Sequence, residues 1–158
     1  MKLNIIKYFT IASSLTVLVI SLTKNAVTID YQGVKHVPSL NYFLMGGTAF
    51  LGGGLFEEII WLANPLCLVA IFLLIYNNKS AKLFSIIALV LAASFSTWKE
   101  LLGAESGAMA EIIAFESGYF LWVLSIVILT TGTFLYFKIG GAELANQNKF
   151  QFKKPRIF

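Results

Sequence analysis

The chain is poor in the residues that build soluble active sites. Of its 158 residues, one is cysteine (Cys67), one histidine (His36) and one aspartate (Asp30), and only 13% are charged. A single cysteine makes no intrachain disulfide and says nothing about redox compartment. Inside its apolar run, Cys67 reads as a small buried hydrophobe. His36 has no second histidine or cysteine at ligand spacing, so it reads as an exposed loop residue and no metal or cofactor is implied. H-E-x-x-H, G-x-S-x-G, the phosphate-binding glycine loop and CxxC do not occur. No serine–histidine pair is positioned for nucleophilic chemistry. The chain is expected not to be an enzyme; a glutamate general base acting at a membrane surface is the one catalytic option left.

The shortage of charge is itself informative. Soluble domains carry about 25% charged residues. Here 58% of residues are hydrophobic and the mean hydropathy is +0.78, so too few polar groups remain to cover a globule in water. The class expected is an integral membrane protein. The net charge of +4 then belongs to membrane orientation rather than to nucleic acid.

Four uncharged apolar stretches are present, at residues 8–23, 59–76, 83–98 and 119–137. Each is near the minimum needed to cross about 30 Å of hydrocarbon at about 1.5 Å per residue. MKLNIIK ahead of the first stretch resembles a secretory leader, but SLTKNAV offers no A-x-A-like cleavage site. We read it as a retained span. The expected fold is all-α: a four-helix transmembrane bundle over residues 1–137, with short extracytoplasmic interfacial helices and both termini cytoplasmic. Residues 138–158 form a basic cytoplasmic tail.

Charge placement supports four spans. The segments 1–7, 77–82 and 138–158 hold Lys2, Lys7, Lys79, Lys82, Lys138, Lys149, Lys153, Lys154 and Arg156. The segments 24–58 and 99–118 hold only Lys24, Lys35 and Lys99, together with Asp30, Glu57, Glu58, Glu100, Glu105, Glu111 and Glu116. Positive-inside bias places the first set in the cytoplasm of a bacterial inner membrane. Counting 40–56 as a fifth span would spoil that bias. Trp61, Trp98 and Trp122 then fall near the outer ends of their spans, and Tyr8, Tyr76 and Tyr136 near the inner ends, as interfacial aromatics do.

The first outer segment begins KNAVTIDYQGVKHVPS, whose β-branched and turn residues suit a short hairpin or irregular loop. Residues 40–56 place Thr48 with Gly52 and Ala49 with Gly53 at i, i+4. They read either as a close-packing stripe or as a glycine-rich connector. The second outer segment, 99–118, alternates acidic and apolar residues and holds Gly103 and Gly107 at GxxxG spacing. It reads as a helix lying along the membrane surface. Glu58-Ile59-Ile60 and Glu111-Ile112-Ile113 recur 53 residues apart, as do Gly54 and Gly107, which raises the option of a duplicated helix hairpin.

The candidate binding residues are the outer acids Glu57, Glu58, Glu100, Glu111 and Glu116. Their depth turns on Asn64 and Pro65. If the helix over 59–76 is kinked but continuous, Glu57 and Glu58 sit at the headgroup level. If Asn64 is an N-cap and Pro65 the first helical residue, only about 18 Å of helix remains and both acids enter the membrane. The kinked, continuous helix is the reading adopted.

After Tyr136-Phe137, Lys138 and Gly140-Gly141 suit a helix end. The tail interleaves Lys149, Lys153, Lys154 and Arg156 with Phe150, Phe152 and Phe158, which suits anionic lipid or a cytoplasmic protein partner. The function expected is that of a membrane-embedded subunit, anchor, sensor or immunity-type factor working through partners, as a homo-oligomer or part of a membrane complex. The alternative is a small oligomeric channel or transporter for cations or protons with an acidic outer mouth.

Overall fold

The computed structural model describes residues 2–103 and 108–152, with side chains over 3–103 and 108–141. Its helices are α1 (Lys2–Leu22), α2 (Ser39–Met45), α3 (Leu55–Trp61), α4 (Ala63–Ile75), α5 (Ala81–Ser94) and α6 (Ser117–Phe152). Its strands are β1 (Asn25–Asp30), β2 (Val34–Pro38), β3 (Glu100–Leu102) and β4 (Met109–Phe115). Among the described residues, three stretches are long and apolar enough to cross a membrane: Leu3–Leu22, Leu55–Ile75 and Ser117–Gly141. The fourth expected span is an apolar helix too, but shorter. With the 3-10 turn that follows α5 it covers Ala81–Thr97, and α5 itself is about 21 Å long.

The all-α expectation is corrected by a four-stranded antiparallel sheet of order β2-β1-β4-β3. The hairpin reading of the first outer segment is borne out. Its turn places Gln32 at φ 53° and Gly33 at φ 117°; the second value suits glycine, which lacks the Cβ that would clash there. Asp30 Oδ1 accepts from the Gly33 N–H at 3.2 Å and closes the turn.

Residues 99–118, expected as a surface helix, instead supply β3 and β4. The cause is nonlocal. β4 completes its ladder on β1, with Val27 opposite Phe115 and Ile29 opposite Ile112. Tertiary pairing of β-branched and aromatic residues overrides an amphipathic pattern of helical appearance. The duplicated-hairpin option fails for the same reason: Glu58-Ile59-Ile60 lies in helix α3 and Glu111-Ile112-Ile113 in strand β4. Gly107 lies outside the described residues.

Small residues let the helices approach. α1 runs along α6, where Gly132 faces the side chain of Thr10 so closely that a Cβ would collide with it. Ser14 donates to the carbonyl of Ser125 at 2.8 Å across the same contact. On α5, Ala81, Ser85, Ala88 and Ala92 are fully buried. They lie on one helical face against α4 and α6, and Thr130 of α6 donates to the Ser85 carbonyl at 3.1 Å. Among apolar helices such close backbone contact and interhelical hydrogen bonding replace the hydrophobic drive of soluble cores.

α6 does not end at Gly140-Gly141. It continues to Phe152, because neither glycine adopts a positive φ and a glycine inside a helix costs only about 1 kcal/mol. At the end remote from the sheet, Lys7 is 5% exposed. Its ammonium donates to the Ile75 carbonyl at 3.2 Å and to Asn77 Oδ1 at 3.0 Å, closing the C-terminus of α4.

Candidate functional site: an aromatic cavity beneath the sheet

Between the sheet and the helices lies a cavity of about 250 Å³. Nearly every element reaches it: the end of α1, β1, α2, the 3-10 segment Gly46–Gly52, α3, the start of α4, β3 and the start of α6. Its wall is almost wholly apolar and unusually aromatic, with Tyr42, Phe43, Trp61, Phe95, Tyr119 and Trp122 all contributing.

Local sequence explains how these rings are held. The Trp61 ring lies directly on the backbone of Gly46 and Gly47, where any Cβ would overlap it. Its indole N–H donates to the Phe43 carbonyl at 2.9 Å. The glycine-rich segment is thus a saddle for one tryptophan. Gly53, at φ 90°, then turns the chain into α3. Trp122 donates to Asn64 Oδ1 at 2.8 Å, and Tyr119 donates to the Ala92 carbonyl at 3.0 Å. Phe95 meets Trp98, Phe115 and Tyr119 edge-on, at centroid distances of 5.3 to 5.7 Å, an arrangement favoured by the ring quadrupoles.

Asn64 therefore does not cap a helix. The hydrogen bonds Leu62 N–H to Glu58 O and Leu66 N–H to Leu62 O, 3.0 and 3.1 Å, carry the helix through the α3–α4 junction, where Pro65 has no N–H to donate. The kinked, continuous reading of this segment is the one observed. Glu57 and Glu58 occupy the first turn of α3.

The five candidate acids do not converge. Glu57 lines the cavity, and its Oε1 accepts from the Leu102 N–H at 2.9 Å. Glu58, one residue on, is not among the lining residues. Glu100 and Glu111 stand opposite each other across β3 and β4, and Asp30 stands opposite Glu111 across β1. The result is an exposed row of three carboxylates, to which Asp30 is an addition. Glu116 lies elsewhere, bonded to Thr28 and His36. Lys149, Phe150 and Phe152 fall on the last turns of α6, where side chains are outside the description; Lys153, Lys154 and Arg156 lie outside the described residues.

His36 is a strand residue rather than a loop residue; it lies in β2, opposite Thr28 of β1. Its Nδ1 is 2.6 Å from Glu116 Oε1 and 2.9 Å from Thr28 Oγ1, and Thr28 also donates to Glu116 Oε1. An ionised carboxylate only accepts, so the proton on Nδ1 follows from the contacts. The Thr28 hydroxyl, with His36 second, holds the Glu116 carboxyl below the usual glutamate range. Thr28 and Glu116 meet the same ring nitrogen. A nucleophile relay needs the two opposite ones.

Tyr42, Trp61 and Trp122 were not singled out as cavity residues from sequence. The available signal was that an indole outside water needs a hydrogen-bond partner: Trp122 finds Asn64 and Trp61 the Phe43 carbonyl, with Gly46 and Gly47 leaving room for its ring. Burial, and then the charge of Glu57, raise the Tyr42 hydroxyl above its ordinary value. Among the described residues no group of three or more His, Cys, Asp or Glu is placed to hold a metal ion.

Comparison with protein-family models, curated proteins and solved structures finds no match. The class therefore rests on the chain itself: three apolar helices suited to crossing a membrane, with a four-stranded sheet at one end of the helices and an aromatic cavity beneath it.

Proposed function

We propose that this is a non-enzymatic, multi-pass inner-membrane protein that works by binding at its sheet end, as a sensor or subunit of a membrane complex. In this reading α5 completes a set of four spans, the sheet faces outward and both termini are cytoplasmic, as the basic residues favour. The observation that carries the reading is the 250 Å³ cavity. It is bounded by both sheet-bearing segments and by the helix ends, so an occupant touches the parts that would have to move. The shared nitrogen in the Thr28–His36–Glu116 cluster supports binding over catalysis.

The test is stability of the reconstituted chain against a titration of tert-butylbenzene. A ligand that binds only the folded form stabilises by about 2.7 kcal/mol at 100 times its Kd. Saturable stabilisation is expected, and Ala49→Leu, which narrows the cavity, should abolish it. A wild-type chain that neither tert-butylbenzene nor its cationic isostere phenyltrimethylammonium stabilises saturably refutes the reading. Orientation is checked separately in a Cys67→Ala background: Lys35→Cys should react with an impermeant maleimide from outside, and Lys79→Cys should not.

The cation-channel alternative draws on the same acids. The helix interior speaks against a path through one protomer: Ala63, Ala88, Ala92 and Ile126 fill one level, and Ala70, Leu74, Ala81 and Leu129 the next.

A further inference from the structure

Resting on the binding reading above, we infer that the cavity is a site for a small hydrophobic organic cation, a substituted ammonium with an apolar body, whose charge is met by Glu57. Three independent observations lead there.

The first is the wall. Tyr42, Trp61, Phe95, Tyr119 and Trp122 surround the space, and the faces of such rings attract cations, most strongly where water is excluded. The second is the one acid. Among the described residues Glu57 is the sole charged one lining the cavity, with no basic residue in its wall. Its Oε1 is engaged by the Leu102 N–H, and among the described residues the one ion pair is His36 with Glu116. A carboxylate is negative and only accepts, so a positive charge complements it where an anion or a neutral hydrocarbon does not. The third is the approach. Asp30, Glu57, Glu58, Glu100, Glu111 and Glu116 all belong to α3 or to the sheet and its exit into α6, against Lys24, Lys35 and Lys99. That field concentrates cations at this end.

Size sets the ligand. A cavity of about 150 Å³ holds benzene, so by proportion about 250 Å³ holds roughly ten non-hydrogen atoms. Phenyltrimethylammonium and its neutral carbon isostere, tert-butylbenzene, both meet that limit and differ only in charge.

The experiment compares the two probes on the full chain in nanodiscs by quenching of tryptophan fluorescence, with the Ala49→Leu variant as the background. Phenyltrimethylammonium should bind the wild type at least tenfold more tightly than tert-butylbenzene. Glu57→Gln keeps an oxygen for the Leu102 N–H. It should weaken the cation by about tenfold or more, the scale of losing a close coulombic contact between a carboxylate and a quaternary ammonium, which has no N–H to donate, and leave tert-butylbenzene within twofold. Equal binding of the two probes, or a Glu57→Gln variant that binds the cation as the wild type does, overturns the cation assignment while the binding reading stands. Failure of both probes to bind overturns both.

Discussion

Trp122 of α6 donates its indole N–H to Asn64 Oδ1 of α4 at 2.8 Å, joining residues 58 apart in sequence. The amide beside Pro65 thus serves an interhelical contact and leaves the α3–α4 kink to proline. Asn64→Leu or Trp122→Phe should each lower stability by about 1–3 kcal/mol, the cost of leaving one partner unsatisfied. The double variant should recover part of that loss. A coupling of about 0.6–2 kcal/mol in a double-mutant cycle, read from unfolding in mixed micelles, is the expected result.

Gly132 and Thr10 set the spacing of α1 and α6. Gly132→Ala places a methyl group inside the Thr10 side chain and should cost about 1–3 kcal/mol through overpacking, although alanine is the better helix former. Adding Thr10→Ala should restore part of the stability. If Gly132→Ala alone is neutral or stabilising in the same unfolding assay, the helices are not in contact there.

The Glu116 cluster predicts an acid-sensitive sheet. The folded carboxyl lies below its ordinary value, first through Thr28 and then His36. The stability it contributes is therefore present above the unfolded glutamate value, about 4.3, and is lost as pH falls through the lower folded value. Hydrogen exchange at β1 and β2 amides should accelerate below about pH 4.3 in the wild type. Glu116→Gln should show that faster exchange already at neutral pH, with a flatter dependence on acid. Identical profiles would remove Glu116 from the account.

The membrane character and the kinked entry into α4 were legible because both are local: uncharged runs of helical length, and a proline whose missing donor a helix can tolerate. The hairpin was legible from its β-branched residues and its Gln32-Gly33 turn. What escaped was nonlocal. β4 exists because β1 offers it a partner more than 80 residues away in sequence, and no periodicity within 99–118 encodes that. The same distance hid the site: Glu57 is fixed by Leu102, Trp61 by the Gly46-Gly47 backbone, and Glu116 by Thr28. Charge alone groups the five outer acids, whereas the fold separates Glu57 and Glu58 on α3, Glu100 and Glu111 in the strand row, and Glu116 beside His36. The alanine and serine ridge of α5, at Ala81, Ser85, Ala88 and Ala92, has helical spacing in the sequence, but only its burial in the fold identifies it as a packing face.

The carboxylate row supplies a last test. Asp30, Glu111 and Glu100 face one another across three strands, and like charges directly opposite destabilise a sheet by about 0.2–1 kcal/mol per pair. All three are exposed, so salt should screen the repulsion and raise the unfolding midpoint of the wild type. Glu111→Lys converts two repulsive pairs into attractive ones. It should stabilise the chain by about 0.5–1.5 kcal/mol at low ionic strength, with the gain shrinking as salt is added. If the row exists to draw cations toward the cavity, the same variant should slow phenyltrimethylammonium association at low salt with little change in its dissociation rate. A stabilised variant with unchanged association would leave the row without that role.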